Sequence, residues 1–333
     1  MSNATAQPKL RVAFAGAFPG RFADRVQALL DIPCDVTLAD EAGIIAKLAD
    51  VDVLVTMAFT AEMAAASRRL KLVQVPGAGL DRIDRSALPA SVSLANAYGH
   101  EVGIAEYVIG AMVAFTRGFA RLEAGLRQGH WESQWAVSSP PPLWPELAGK
   151  TLGILGYGRI GQCVARRAQA FDMAVWAIRR DVKRSDNHGL AFLGGPDALE
   201  EVLKHADYLA ITVALTDATR GLLGERELGW MKPIAVLINV ARGEIVDEAA
   251  LYRALAQKTI AGAVLDVWYQ YPNGPGPTFP SRYAFHELPS VLMTPHASGW
   301  TEGMLEERAN VIVENIHRVA RGEPPVNLIP SSE

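Results

Sequence analysis

The fold class turns on TLGILGYGRIG (151–161). Its first five residues are small or apolar without alternation, the pattern of a strand covered on both faces. Gly156-Tyr157-Gly158-Arg159-Ile160-Gly161 then spells G-x-G-x-x-G, and an amphipathic stretch, Arg159–Phe171, follows. Alone, that glycine spacing says little. Between a strand and a helix it reads as a dinucleotide-binding loop. Gly156 permits the tight turn, Gly158 lets backbone approach a pyrophosphate, and Gly161 allows the helix to pack closely on the strand. The helix N-terminus turns its N–H groups and the positive end of its dipole toward the phosphates.

The next strand ends in the residues that choose between cofactors. An NAD site places Asp or Glu about 20 residues on, to bond the ribose 2′-hydroxyl. Here Arg179 and Arg180 stand eighteen residues after Gly161, followed by Lys183 and Arg184. A guanidinium pair binds a 2′-phosphate through charge-assisted, often bidentate bonds. The expectation is NADP, with NADPH preferred over NADH. A solvated basic loop is the competing reading, and Asp181 lies two residues beyond the carboxylate position.

On both sides of this unit, strand-like runs alternate with helical ones. LRVAFAG (10–16), CDVTLA (34–39), VDVLVT (51–56), LKLVQVP (70–76) and SVSLAN (91–96) precede a long helical stretch from His100 to about Arg127. After a Pro- and Trp-rich connection (130–149), where Pro140–Pro142 exclude helix and central strand, the alternation resumes. It runs through MAVWAI (173–178), DYLAIT (207–212), AVLINV (235–240), AGAVLDV (261–267) and VLMT (291–294). Strands alternating with helices imply βαβ units and parallel sheets. The chain's 333 residues suit two domains.

Composition excludes several classes. Half the residues are apolar, 20% are charged and the net charge is −4, which describes a globular chain without a nucleic-acid footprint. The two cysteines, Cys34 and Cys163, form no disulfide framework and suit a reduced compartment. No apolar run reaches about 18 residues, and the polar start, Met1–Pro8, lacks a signal-peptide core. The expectation is a cytoplasmic protein with no membrane, nucleic-acid or metal partner.

GKTLGILGYGRIG (149–161), LTDATRGLLGE (215–225), INVARGEIVDEAAL (238–251), LDVW (265–268) and TPHASGW (294–300) resemble the D-isomer-specific 2-hydroxyacid dehydrogenase family. So do VPGAGLDRID (75–84) and RQGHW (127–131). The resemblance spans essentially the whole chain, in the family's order. It implies an α/β fold of two doubly wound parallel-sheet domains, a Rossmann cofactor domain (100–296) inserted into a flavodoxin-like substrate domain (1–99 and 297–333). The active site would lie in the cleft. It also implies a homodimer built through the long helix and residues 117–149.

Residue by residue, the resemblance makes Arg242 the arginine that holds the substrate carboxylate and polarises its carbonyl, and His296 the general acid/base. Gly77-Ala78-Gly79 becomes a backbone-amide clamp on the carboxylate, with a bare turn as the alternative. Tyr157, Arg159 and Ile160 of the glycine loop, Val213, Ala214, Thr219, Val240, Ala241, Ser298 and the segment Thr212–Leu215 would line the cofactor, with Arg242 and His296 bordering it. Asp266 would orient the nicotinamide amide, or else cap its strand. One departure stands out: where typical members carry a glutamate that pairs with the histidine, this chain has Tyr271. Tyr271 would bond His296, gate the pocket or merely pack. The aromatic run Trp268–Tyr271 with Trp300 suggests a site wall, although such runs are more often core. The implied activity is reduction of a 2-oxo acid, glyoxylate- or hydroxypyruvate-like, to a D-2-hydroxy acid. The alternatives are oxidation of a small anion such as formate or phosphite, and a non-catalytic NAD(P)-sensing protein.

Overall fold

Near-continuous runs of Val, Ile, Leu and Ala become parallel strands, because both faces of each sheet are covered by helices. The structure is a computed structural model and describes residues 9–135, 143–182 and 189–330. It divides into two compact units, Met1–Gly99 with Thr301–Glu333, and His100–Trp300.

The first unit carries β1 (Leu10–Ala15), β2 (Cys34–Ala39), β3 (Val53–Thr56), β4 (Leu72–Gln74) and β5 (Ser93–Ala95), ordered β2-β1-β3-β4-β5. All pairs are parallel, with Val12 opposite Val36 on one side and Val53 on the other. That order is the flavodoxin-like doubly wound one. One face packs Phe14, Val55 and Leu72 against Ile312 and Ile316 of the helix Glu302–Arg321; the other packs Leu54 and Val73 against Ile44, Leu48 and Met63. Thr301 caps that last helix by accepting the Met304 N–H, and Gly322 ends it at φ 72°. The buried Asn315 donates to Gln74 Oε1 (2.6 Å) and accepts the Val326 N–H (2.7 Å), which ties the C-terminal tail to the sheet.

The second unit carries β6 (Thr151–Leu155), β7 (Ala174–Ile178), β8 (Phe192–Gly194), β9 (Tyr208–Ile211), β10 (Val236–Asn239), β11 (Gly262–Leu265) and β12 (Val291–Met293). Their order, β12-β11-β10-β9-β6-β7-β8, changes direction between β6 and β9, the switch point where doubly wound sheets bind ligands. The chain therefore has the two-sheet α/β architecture, with the Rossmann order in the inserted unit.

Local pattern missed three features. β8 is only Phe-Leu-Gly; its pairing with β7 and the stacking of Phe192 on Trp176 (4.7 Å) make it a strand. The short helix Glu225–Trp230 starts where Gly224 N–H meets the Glu227 carboxylate at 3.1 Å. The long helix is two, Glu101–Arg117 and Phe119–Arg127, bent by 54° at Gly118, whose φ of 61° ends the first. Among the described residues no single helix is long and apolar enough to cross a membrane, and no cluster of His, Cys, Asp and Glu is arranged for a metal. Met1–Pro8, Pro140–Pro142, Lys183 and Arg184 lie outside the described residues.

Candidate active site

The glycine loop is shaped by contacts that leave no room for side chains. Gly156 has φ 103°, and a Cβ there would stand 2.6 Å from Val213 N; at Gly161 it would stand 2.5 Å from Gly156 O. Gly156 and Tyr157 donate their N–H groups to Ile178 O (3.1 and 2.8 Å), while Thr212 Oγ1 donates to Gly156 O (2.8 Å). Gly158 has nothing within 4 Å of its missing Cβ. The first intrahelical bond runs from Gln162 N to Gly158 O, so Arg159, Ile160 and Gly161 make up the helix's first turn. An open face over Gly158 at a helix N-terminus fits a pyrophosphate.

Arg179 follows β7 directly, half-buried, and its N–H donates to Gly194 O (2.9 Å). Burial pushes the Tyr157 phenol up, and the Arg179 charge opposes that shift, so the guanidinium lies within electrostatic reach of the loop. Arg180 is exposed. Val213 and Ala214 follow β9; Thr219 Oγ1 donates to Ala214 O (2.7 Å) and accepts the Thr216 N–H (2.8 Å), closing that segment.

Arg242 sits on a turn after β10 that the buried Asn239 brackets. Asn239 Oδ1 accepts the Ala241 N–H (3.1 Å) and its Nδ2 donates to Arg242 O (2.8 Å). Val240 is buried beneath the turn, and Arg242 Nη1 donates to Ala241 O (2.7 Å). The turn abuts the next strand's exit: a Cβ on Gly243 would stand 2.6 Å from Trp268 O.

His296 has φ 56°, the left-handed region a non-glycine residue enters only when held there. The fully buried Asp266 does the holding. It accepts Thr294 Oγ1–H (2.5 Å), Ala297 N–H (2.8 Å) and Ser298 N–H (2.9 Å), clamping the turn on both sides of the imidazole. Tyr107, on the helix Glu101–Arg117, completes the chain at 2.6 Å from Thr294 Oγ1. Thr294 donates its one proton to Asp266, so the Tyr107 phenol is the donor; burial pushes its pKa up to about 12 and keeps that proton in place. Thr294 and Tyr107 escaped the sequence reading. Their only trace was a hydroxyl next to an apolar helix stripe.

Tyr271 bonds the histidine. Its hydroxyl lies 2.8 Å from His296 Nδ1 and accepts the Trp268 N–H at 3.3 Å. Trp268 itself is core, 4% exposed, with its indole N–H on Thr294 O (2.8 Å). The aromatic run thus splits: Trp268 packs inward and Tyr271 reaches the imidazole. Burial raises the Tyr271 pKa, against the opposing Trp268 N–H and Arg242 charge, so the phenol stays neutral in any ordinary assay. A carboxylate in its place would favour imidazolium, typically by 1–3 pKa units. An imidazolium that donates a proton would then persist to higher pH, so Tyr271→Glu is expected to move the alkaline limb of any His296-dependent kcat/KM to higher pH. Superimposable pH profiles for the native and Tyr271→Glu proteins would refute this.

In the first unit, Gly77-Ala78-Gly79 follows β4. Ala97 N–H donates to Gly77 O (3.2 Å) and Asn96 Nδ2 to Ala78 O (3.1 Å), so the loop's carbonyls are tied back.

A Rossmann sheet, a G-x-G-x-x-G helix start and a histidine clamped beside an arginine-bearing turn define a dinucleotide-dependent oxidoreductase fold. Residues 109–298 match the family model "D-isomer specific 2-hydroxyacid dehydrogenase, NAD binding domain", and the chain belongs to that family. The glyoxylate reductase of Thermococcus gammatolerans is 34% identical over 289 residues, covering 85% of this chain and 84% of that protein. The D-3-phosphoglycerate dehydrogenase of Methanocaldococcus jannaschii is 32% identical over 290 residues; the match covers 85% of this chain but only 52% of that longer protein. Among solved structures, the NADPH-dependent glyoxylate/hydroxypyruvate reductase of Sinorhizobium meliloti, in complex with NADP and malonate, superposes with a TM-score of 0.80 at 28% identity. That match covers 97% of this chain and 98% of the other.

Proposed function

We propose that the protein reduces 2-oxo acids, glyoxylate- or hydroxypyruvate-like, to D-2-hydroxy acids with NADPH as the preferred cofactor. The observation that carries the reading is His296, clamped at φ 56° by Asp266 and bonded through Nδ1 to Tyr271. The glycine loop and Arg179 with Arg180 would hold the dinucleotide, which supplies the hydride when bound. Arg242 engages the substrate carboxylate through its planar fork and polarises the neighbouring carbonyl. His296 Nε2 delivers the proton to the carbonyl oxygen as it becomes a hydroxyl. Tyr271 supports the imidazole in both protonation states, since a phenol either donates to or accepts from Nδ1. The Gly77–Gly79 amides add donors for the carboxylate.

On this reading residues 1–99 and 297–333 form the substrate-binding domain, and 100–296 the cofactor domain. The homodimer rests on the resemblance, and the exposed Phe119, Leu126, Trp131 and Trp135 support it. The two free cysteines support the cytoplasm. The test is loss of NADPH absorbance across a panel of 2-oxo acids, with glyoxylate and hydroxypyruvate included. Turnover is expected; oxidation of formate or phosphite without any 2-oxo acid reduction would overturn the reading, as would cofactor binding without turnover.

A further inference from the structure

Four carboxamides, those of Gln74, Asn96, Asn315 and Asn327, gather at the exits of β4 and β5. Gln74 and Asn315 are fully buried, and Asn96 is 3% exposed. Asn315 Nδ2 donates to Gln74 Oε1, and Gln74 Nε2 donates to Val75 O (3.0 Å), on the strand exit that leads to Gly77. Asn315 also holds the segment past its own helix, accepting the Val326 N–H and donating to Val326 O (3.2 Å). Beyond Val326 the chain lies along β5. Leu328 bridges Ala95 in antiparallel sense, and Ile329 N–H donates to Leu94 O (2.8 Å). Asn327, half-buried at φ 55°, bonds Asn96 twice: its carbonyl accepts the Asn96 N–H and its Nδ2 donates to Asn96 O, both at 3.4 Å. Asn96 is thus held through its backbone, and its side-chain Nδ2 donates to Ala78 O (3.1 Å).

Peptide geometry turns that last bond into a choice of direction. In a planar trans peptide the C=O and the following N–H point opposite ways. Tying Ala78 O to Asn96 therefore aims the Gly79 N–H away from Asn96, and tying Gly77 O to Ala97 N–H does the same for the Ala78 N–H. Glycines at 77 and 79 give these peptides little preference of their own, so a tether decides their orientation. Stability explains Asn96 poorly. Its Oδ1 is buried without a donor among the described residues, and a stranded acceptor is destabilising.

We propose that Asn96 is a positioning residue that aims the Gly79 N–H for anion binding and so sets affinity for the substrate carboxylate. The inference rests on the 2-oxo acid reading, in which the Gly77–Gly79 amides bind that carboxylate. Every 2-oxo acid carries the same carboxylate, so the effect falls on all of them alike. The residues involved all belong to the first compact unit, and NADPH affinity is expected to stay native.

The experiment compares the native protein with Asn96→Ala on glyoxylate, pyruvate and hydroxypyruvate. KM is expected to rise about 2- to 10-fold, the effect of one neutral hydrogen bond, and by the same factor for each acid. kcat and Tm should stay close to native, because the variant also removes the stranded acceptor. Asn327→Gly keeps the left-handed backbone and deletes only the bracing carboxamide. It should raise every KM in the same proportion but less, and it carries the test if Asn96→Ala does not fold. Calorimetric titration of oxamate, an unreactive 2-oxo acid analogue, into the NADPH-loaded protein reads the same loss of affinity without turnover. Turnover with native KM values in the variants overturns the proposal and leaves the reductase reading standing. Unequal factors across the acids, or lower Tm and kcat with KM unchanged, overturn it as well. If no 2-oxo acid is turned over, weaker oxamate binding by Asn96→Ala upholds the positioning role and refutes the reductase reading; unchanged binding refutes both.

Discussion

Replacing His296 by asparagine is expected to lower kcat for 2-oxo acid reduction by about 10²–10⁴-fold, the usual contribution of a positioned general acid. Asparagine is the informative replacement because residue 296 sits at φ 56°, and asparagine tolerates the left-handed region better than most side chains. The Asp266 bonds to the Ala297 and Ser298 N–H groups involve backbone and survive the change. The loss therefore reports the missing proton donor and not a collapsed turn. Binding of NADPH, followed by its fluorescence, should persist. Near-native turnover in His296→Asn would remove the histidine from the mechanism. Arg242→Lys should be damaging in a different way, raising KM as well as lowering kcat, because an ammonium cannot reproduce the two-pronged carboxylate contact.

The second large effect concerns the cofactor. Native protein is expected to use NADPH with a higher kcat/KM than NADH, and Arg180→Ala should erode that preference, with the Arg179→Ala/Arg180→Ala double variant eroding it further. Hydrogen bonds to charged groups are worth roughly 1.5–3 kcal/mol each, so one or two guanidinium contacts to a 2′-phosphate correspond to about 10- to 1,000-fold. The placement supports the assignment: Arg179 follows β7 and acts electrostatically on Tyr157 of the glycine loop. Exposed Arg180 is screened by salt, so its share of the preference should shrink as ionic strength rises. An NADH preference in the native protein would sink the idea.

Much of this molecule was legible before any coordinates. The apolar runs at 10–16, 51–56 and 151–156 announce buried parallel strands because nearly every residue in them is covered, with Arg11 the exposed exception. Gly156 and Gly161 are legible from their spacing between a strand and a helix; the structure adds the reason, since backbone at 2.5–2.6 Å from a would-be Cβ admits no other residue. Arg242 and His296 could be named because short segments around them match a known pattern. Tyr271 could be flagged as a departure, but its partner could not, since bonding to His296 depends on where two loops 25 residues apart come to rest.

Folding settled what depends on distance in space. β8 exists because β7 offers it an edge, not because Phe-Leu-Gly prefers to be extended. Asp266 faces the Thr294–Ser298 turn because β11 and β12 lie side by side, which brings a carboxylate and three donors about 30 residues away into contact. Tyr107 looks unremarkable in one dimension, a phenol on an amphipathic helix. Hydrogen bonds act over a few ångströms, so its meaning depends on Thr294, a neighbour that the chain order does not name.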